Sequence, residues 1–471
     1  DAFTVRAGEL FFAVEGINAD RHLHIPDVVD AGITAIIHSK PLTEYAAGVT
    51  YLRVQNVQKS MSPVSAAFYG MPSQNLFVFG ITGTNGKSTT ASYIYQLLGL
   101  CGKKAGILSS VYHDFGTGLE GNLLHQSTPE APSVQKVLRE AVDNGVDYMV
   151  LEATSHGLSA RNDRVADVYF DAVIMTNVTH EHLEFHGTME QYAFDKANLF
   201  RIMDSLGGAE GFGIVNSDDA YVSSFLEASR KKIFSYGLGP RADLRASGIK
   251  SNGKGMDFEV EWQGVSVPAF LPGSGKFNIQ NALAAVLAVS IALKRRVPEI
   301  LKLVADLQGI YGRMNALEAG QPFSVFIDFA HTPDSFNQLI PEMKQASKGK
   351  LITLFGSAGE RDTSKRRIQG EIAAKHSDIV VLTDEDPRGE NPENILEEIA
   401  AGCAGLTRGK NLFLVPGRNK GIYRALEIAN PGDTVLLLGK GHETSIVYAE
   451  GEVEWNETEA AKQCLQELGY C

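Results

Sequence analysis

The sequence predicts an α/β protein of three domains: a small N-terminal α/β domain, a central doubly wound domain of the P-loop ATPase kind, and a C-terminal Rossmann-like domain. Three observations carry this. A length of 471 residues suits about three domains. Apolar strand-like runs alternate with helix-length intervals along most of the chain. One such run, Leu76-Phe77-Val78-Phe79, leads into Thr82-Gly83-Thr84-Asn85-Gly86-Lys87-Ser88-Thr89, the strand, loop and helix of a phosphate-binding loop.

In chain order, residues 1–72 join the apolar runs Glu9-Leu10-Phe11-Phe12-Ala13 and Ala35-Ile36-Ile37 to a helical stretch over 25–31, which makes the first α/β unit. The turn-forming Gly70-Met71-Pro72-Ser73 reads as a linker. The second domain, 73–309, carries the buried-strand runs Tyr148-Met149-Val150-Leu151, Ala172-Val173-Ile174-Met175 and Phe212-Gly213-Ile214-Val215. Residues 240–272 break its rhythm with turns such as Ser251-Asn252-Gly253-Lys254-Gly255, so an antiparallel hairpin insertion or extension is expected there. A helix over 277–294 closes the domain. Strands resume beyond Gly309-Ile310-Tyr311-Gly312, at Val325-Phe326-Ile327, Leu351-Ile352-Thr353-Leu354, Ile379-Val380-Val381-Leu382, Leu412-Phe413-Leu414-Val415 and Thr434-Val435-Leu436-Leu437. Alternating with helices, they make 310–471 Rossmann-like, without a Gly-x-Gly-x-x-Gly fingerprint.

A formal charge of −13 and a pI near 5.5 argue against nucleic acid as a partner, because no basic stripe offsets the acidic surface. No apolar run is long enough to span a bilayer, and the start Asp-Ala-Phe-Thr-Val-Arg lacks the basic and apolar regions of a signal peptide, which predicts a cytoplasmic protein. The four cysteines, Cys101, Cys403, Cys464 and Cys471, have neither disulfide-scaffold nor zinc-ribbon spacing.

The phosphate loop sets the chemistry. Its backbone N–H groups and helix N-terminus suit a triphosphate, Lys87 reaches the β/γ-phosphates, and Ser88 can hold Mg²⁺. The common spelling requires glycine at 81, where this chain has Ile81 and supplies Gly83 instead, which disfavours ordinary kinases and GTPases. Glu152, at a strand end, is a second candidate Mg²⁺ ligand. In Thr179-His180-Glu181-His182-Leu183-Glu184-Phe185-His186-Gly187 the zinc-hydrolase register fails, since Glu184 falls four after His180. Ligation of a nucleotide-associated Mg²⁺ by His182 is the better reading, with His182 and His186 otherwise an ordinary i,i+4 pair. Lys196, within Phe194-Asp195-Lys196-Ala197, reads from the residues alone as a solvated helix lysine.

Together these motifs are specific. The phosphate loop, then Leu151-Glu152-Ala153-Thr154-Ser155-His156-Gly157-Leu158, then Thr176-Asn177-Val178-Thr179-His180-Glu181-His182-Leu183-Glu184 and Lys196-Ala197-Asn198-Leu199-Phe200 resemble the Mur ligases of peptidoglycan synthesis. Asp328-Phe329-Ala330-His331-Thr332-Pro333-Asp334, Gly359-Glu360-Arg361-Asp362, Asp386-Pro387-Arg388 and Gly439-Lys440-Gly441-His442-Glu443 resemble their tripeptide-forming branch. The match runs in order along nearly the whole chain.

The resemblance implies an ATP-dependent acid–amino-acid ligase that adds a diamino acid to UDP-N-acetylmuramoyl-L-Ala-D-Glu through an acyl phosphate, with ATP and Mg²⁺, as a monomer. It implies ATP contacts at Gly83, Thr84, Asn85, Gly86, Lys87, Ser88, Thr89, Asn281, Arg313 and Asp328. Ser88, Glu152, His182 and Lys196 would hold Mg²⁺, the last as a carbamate, and Lys87 would join the latter three in catalysis. Asn18, Thr128, Thr154, Ser155 and either Arg161 or Arg164 would hold the nucleotide-sugar peptide. Arg361, Glu385, Asp386, Pro387, Arg388, Gly439 and Glu443 would hold the incoming amino acid. Departures from the family pattern include Asp1-Ala2-Phe3 for Asp-Ser-Arg, Glu181 for aspartate, an extra residue near 161–164, and Asn315 after Arg313-Met314.

Asp386 stands where diaminopimelate-specific members carry asparagine. Its charge predicts L-lysine or L-ornithine over meso-diaminopimelate, although Arg388 is kept. Alternatives outside this reading are a folylpolyglutamate synthase, which should lack the N-terminal unit and the Asp-Pro-Arg segment, and a non-catalytic nucleotide-binding scaffold.

Overall fold

The computed structural model describes residues 6–16, 19–122, 127–252, 254–273 and 275–470, without the Glu184 side chain. Asn18 and Asp1-Ala2-Phe3 therefore lie outside the described residues. Among the described residues three larger sheets and one two-stranded hairpin organise the chain. The first joins β1 (Leu10–Phe12), β2 (Ala35–His38) and β3 (Thr50–Arg53) in parallel. Phe11, Ile25, Val28 and Ile36 fill its small core. The expected linker is a shaped turn: Met71 takes φ 50°, and Pro72–Asn75 forms one 3₁₀ turn with Pro72 and Ser73 buried.

Among the described residues the central sheet has eleven strands. These are β4 (Phe77–Thr82), β5 (Ala105–Leu108), β6 (Tyr112–Asp114), β7 (Glu120–Gly121), β8 (Tyr148–Glu152), β9 (Ala172–Met175), β10 (Phe212–Asn216), β11 (Lys232–Gly237), β12 (Leu244–Ser251), β13 (Gly255–Trp262) and β14 (Val265–Pro272). Their spatial order is β14-β13-β12-β11-β10-β9-β4-β8-β5-β6-β7. The run from β12 to β5 is parallel, and both ends finish antiparallel. The glycine-rich stretch is thus an extension of the sheet by a three-strand meander rather than a detached hairpin. β4 is covered on both faces. Phe79 and Ile81 meet helices Lys87–Leu100 and Lys276–Ala292, while Val78 meets the layer containing Tyr192 and Phe200. A strand buried on both sides reads as a continuous apolar run, which is why it was legible.

The third sheet comprises β15 (Asn315–Leu317), β16 (Ser324–Asp328), β17 (Leu351–Phe355), β18 (Ile379–Leu382), β19 (Leu412–Leu414) and β20 (Thr434–Leu438), ordered β15-β16-β20-β17-β18-β19. All pairs are parallel except β15–β16. The five expected strands are present. β15, together with the separate hairpin β21 (Ser445–Tyr448) and β22 (Gly451–Glu454), escaped the sequence reading because these are short and partly exposed. Arg418 and Glu457 form a buried ion pair at 2.5 Å that fastens the last helix, Glu457–Glu467, to this domain.

Candidate active site

β4 lies between β8 and β9, so the chain leaves it at a topological switch point, where doubly wound sheets open a crevice at their strand ends. The phosphate loop fills that position. Gly83 has φ 148°, and a Cβ there would lie 1.8 Å from Thr176 Oγ1; Gly86 has φ 83°, and a Cβ would lie 2.4 Å from Asn281 Oδ1. Only glycine fits either place. The neighbouring strand end holds the loop: the Thr84 N–H donates to the Asn177 carbonyl at 2.7 Å, the Asn85 N–H to Asn177 Oδ1 at 2.8 Å, and Thr176 Oγ1 to the Asn85 carbonyl at 2.7 Å. Lys87 opens helix Lys87–Leu100 and folds back, its Nζ donating to the carbonyls of Gly83 at 2.9 Å and Thr84 at 2.8 Å.

Lys196 corrects the sequence reading. It is 1% exposed, and its Nζ donates to the Gly83 carbonyl at 2.7 Å while lying 4.4 Å from the Tyr192 ring centroid. Burial and the neighbouring Lys87 push its pKa well below the ordinary lysine range, against the pull of Glu181. Burial also lowers Lys87, opposed by Glu152 and Glu181. Sequence periodicity did not reveal this because the loop that buries Lys196 comes from a segment more than a hundred residues away.

Around the two lysines stand groups that the resemblance names and some that it did not. Glu152, 2% exposed, ends β8 beside β4 and accepts from the Ser110 N–H at 3.1 Å. Ser110 Oγ lies 2.8 Å from Ser88 Oγ, which brings Ser88 and Glu152 together. Glu181 is half-buried, and desolvation alone would raise its pKa, but His182, His331 and Lys87 outweigh this and hold it well below the usual carboxylate range. His331 Nε2 lies 3.1 Å from Glu181 Oε1, and His182 Nε2 lies 3.8 Å from Oε2. Ser110 and Tyr192 carried no sequence signal, and Glu181 and His331, though within the family motifs, were given no role.

Two cavities meet at this cluster. The first, about 260 Å³, lies between the central and C-terminal domains and is lined by Asn85, Gly86, Ser88, Thr89, Asn281, Arg313 and Asp328, with Phe277 and Tyr236 on its walls. Seven of the predicted nucleotide residues thus share one space, while Gly83, Thr84 and Lys87 lie off its wall. Burial raises the pKa of Asp328 against the pull of Arg313 and two N–H donors, those of Ala330 and Met314 at 2.7 Å each. Asp334 bridges the domains here, accepting from Asn85 Nδ2 at 2.9 Å and Thr179 Oγ1 at 3.2 Å.

The second cavity, about 170 Å³, has Glu181, His182 and His331 on one side and Arg361, Glu385, Asp386, Arg388 and Glu443 on the other. Pro387 and Gly439 lie behind it; Gly439, at φ 105°, lets Glu385 approach. Asp386 is already compensated, accepting from Lys440 Nζ at 2.9 Å and the Val447 N–H at 3.0 Å. Glu385 is 7% exposed, and its Oε2 has no hydrogen-bond partner. Burial raises the pKa of Glu443, opposed by Lys440 at 2.6 Å.

The residues expected to hold the sugar peptide cluster at the end of β8. Thr128 Oγ1 donates to the Glu152 carbonyl and accepts from the Thr154 N–H, both at 2.9 Å, and Thr154 caps helix Ser155–Leu158. Arg164 belongs to this cluster, donating to the Thr128 carbonyl at 2.8 Å and to Glu130 at 2.5 Å. Arg161 is exposed, 5.8 Å from the Phe185 ring centroid.

Residues 81–289 match the family model of the Mur ligase middle domain, and residues 312–441 match that of the Mur ligase glutamate ligase domain. A UDP-N-acetylmuramyl-tripeptide synthetase of Borreliella afzelii (strain PKo) is 42% identical over 468 residues, covering 98% of this chain and 92% of the relative. The chain belongs to the Mur ligase family. As a Mur ligase it is an ATP-dependent ligase of peptidoglycan synthesis. It is also similar to a UDP-N-acetylmuramoyl-L-alanyl-D-glutamate–2,6-diaminopimelate ligase of Syntrophomonas wolfei subsp. wolfei, 32% identical over 99% of this chain and 94% of the relative. The MurF ligase of Thermotoga maritima, solved with ADP, has the same Mur ligase fold: its TM-score is 0.67 at 19% identity, covering 100% of this chain and 97% of that one. Among the described residues, no helix is long and apolar enough to cross a membrane.

Proposed function

We propose that this Mur ligase joins a diamino acid to the D-glutamate side-chain carboxylate of UDP-N-acetylmuramoyl-L-Ala-D-Glu. The observation that carries the reading is that the two cavities share Phe329 and His331 on their walls, with Glu181 against His331, so that a nucleotide in one and an amino acid in the other would lie on either side of the same residues. The substrate carboxylate attacks the γ-phosphorus of ATP, ADP leaves, and an acyl phosphate forms. The acceptor amine then attacks its carbonyl carbon, and the tetrahedral adduct expels phosphate, leaving the amide. Anion meets anion in the first step, so charge neutralisation and positioning dominate the work of the protein. Lys87 would swing from the Gly83 and Thr84 carbonyls to the phosphates, with Asn281, Arg313 and Asp328 lining the nucleotide site.

Ser88 and Glu152 offer the hard oxygen donors that suit Mg²⁺. Among the described residues no three acidic, histidine or cysteine side chains converge on one ion. A carbamate on Lys196 would complete the set with His182: the buried, neutral-favouring amine suits reaction with CO₂, and the anion so formed would face Lys87. When bound, Mg²⁺ supplies charge neutralisation at the transferring phosphoryl group.

Thr128, Thr154 and Arg164 would form the wall for the sugar peptide, Ser155 being buried behind it with its hydroxyl turned to His186, with 1–72 as the UDP-sugar domain, 73–309 as the ATP domain and 310–471 as the amino-acid domain. Arg164→Ala is expected to raise KM for the UDP-dipeptide by about tenfold, the worth of one charge-assisted hydrogen bond. Arg161→Ala is expected to leave it near normal, and the opposite pattern in steady-state kinetics would reassign the arginine. A cytoplasmic monomer fits this reading.

L-Lysine or L-ornithine is our choice of acceptor. Asp386 bears less of that argument than its spelling suggests, because Lys440 neutralises it. Glu385 bears more: an unpartnered buried carboxylate oxygen suits a distal ammonium and repels a distal carboxylate. Arg388 pulls the other way. Competition among L-lysine, L-ornithine and meso-diaminopimelate, with product mass and kcat/KM as readouts, tests the choice; a clear preference for meso-diaminopimelate overturns it. A folylpolyglutamate synthase or a nucleotide-binding scaffold would show no phosphate release dependent on the UDP-sugar peptide.

A further inference from the structure

His186 does not pair with His182 as its i,i+4 spacing suggested. Its Nδ1 lies 2.6 Å from Asp195 Oδ2 and its Nε2 lies 3.0 Å from Ser155 Oγ. Asp195 Oδ1 also accepts from Gln191 Nε2 at 3.0 Å. The whole relay is buried, with Ser155 at 1%, His186 at 7% and Asp195 at 5% exposure. His186 Nδ1–H donates to Asp195, which fixes the tautomer and leaves Nε2 to accept the Ser155 O–H. Hydrolytic triads have the same order of groups, but the buried Ser155 has no open path for nucleophilic attack.

The position of each member in the chain is the telling fact. Ser155 stands three residues beyond Glu152, His186 four beyond His182, and Asp195 directly before Lys196. The three segments are the one-turn helix Ser155–Leu158 just past the end of β8, the one-turn helix Leu183–His186 and the helix Met189–Leu206, which share no hydrogen-bonded ladder. We propose that Asp195, His186 and Ser155 form a positioning relay that locks these segments in mutual register, so that Glu152, His182 and the Lys196 carbamate meet one divalent cation. This rests on the metal-site reading given above. Groups that orient metal ligands from behind are worth about 10- to 100-fold in affinity or activity.

The test uses the full chain, with Asp195→Asn and Ser155→Ala as variants. Asp195→Asn keeps the shape and releases the tautomer; Ser155→Ala removes one oxygen and threatens folding least. Binding of Mn²⁺ alone is read by electron paramagnetic resonance, carbamylation by the ¹³C signal after incubation with ¹³C-bicarbonate, and folding by thermal melting. Mn²⁺ affinity is expected to fall by about tenfold in each variant, with a weakened carbamate signal and a melting temperature close to wild type. Variants that melt lower yet bind Mn²⁺ and carry carbamate as wild type does would reduce the relay to a structural strut and overturn the proposal. Variants that behave as wild type in every readout overturn it equally. A wild-type protein with neither Mn²⁺ binding nor a carbamate signal removes the metal-site reading itself, and the relay with it.

Discussion

Lys87→Ala is expected to fold and to form almost no amide product, with kcat lowered by at least about 10³-fold, the scale of losing a key electrostatic contact at a transition state. The fold should survive because the ammonium is buried and burial disfavours its charge. Its two hydrogen bonds end on the loop's own carbonyls rather than on another element. What the variant loses is the cation that would sit between a triphosphate and a carboxylate. Phosphate release, product mass and a melting curve on the same sample check this. Near-normal turnover in a folded variant would take the phosphate loop out of the reaction.

Lys196→Ala is expected to be nearly inactive, for a different reason. Lys87 acts as a cation, whereas Lys196 acts only once converted to an anion. Its amine is buried beside Lys87, which favours the neutral form, and neutral amines react with CO₂. Removing the side chain leaves space next to the Gly83 carbonyl, so an added small carboxylate such as formate is expected to restore part of the activity in Lys196→Ala and none in Lys87→Ala. Full activity of Lys196→Ala without additive would return Lys196 to a purely structural role.

Local sequence showed the parts of this protein that are locally determined. The phosphate loop is legible because its glycines answer to contacts with Thr176 and Asn281 that no side chain tolerates, and the central strands because burial on both faces leaves unbroken apolar runs. Groups whose state depends on distant segments were not legible. Lys196 looks like any helix lysine until the loop at Gly83 closes over it. The neutralisation of Asp386 by Lys440 spans 54 positions, and the contact of His186 with Ser155 spans 31. The family resemblance supplied Lys196 through its motif, but it assigned no role to His186, Asp195 or Asp334.

A sheet of eleven strands has two margins, and an open margin is a template on which a foreign strand can grow. Among the described residues one margin is β7, two residues long. The other is β14, eight residues long, with Val265 56% exposed. Pro268 and Pro272 lie within it, each lacking an N–H, and the 3₁₀ segment Lys302–Asp306 packs against it. The meander that lengthens the sheet thus ends it in a strand poorly suited to recruiting a twelfth, and the extension is kept from becoming a seed for aggregation.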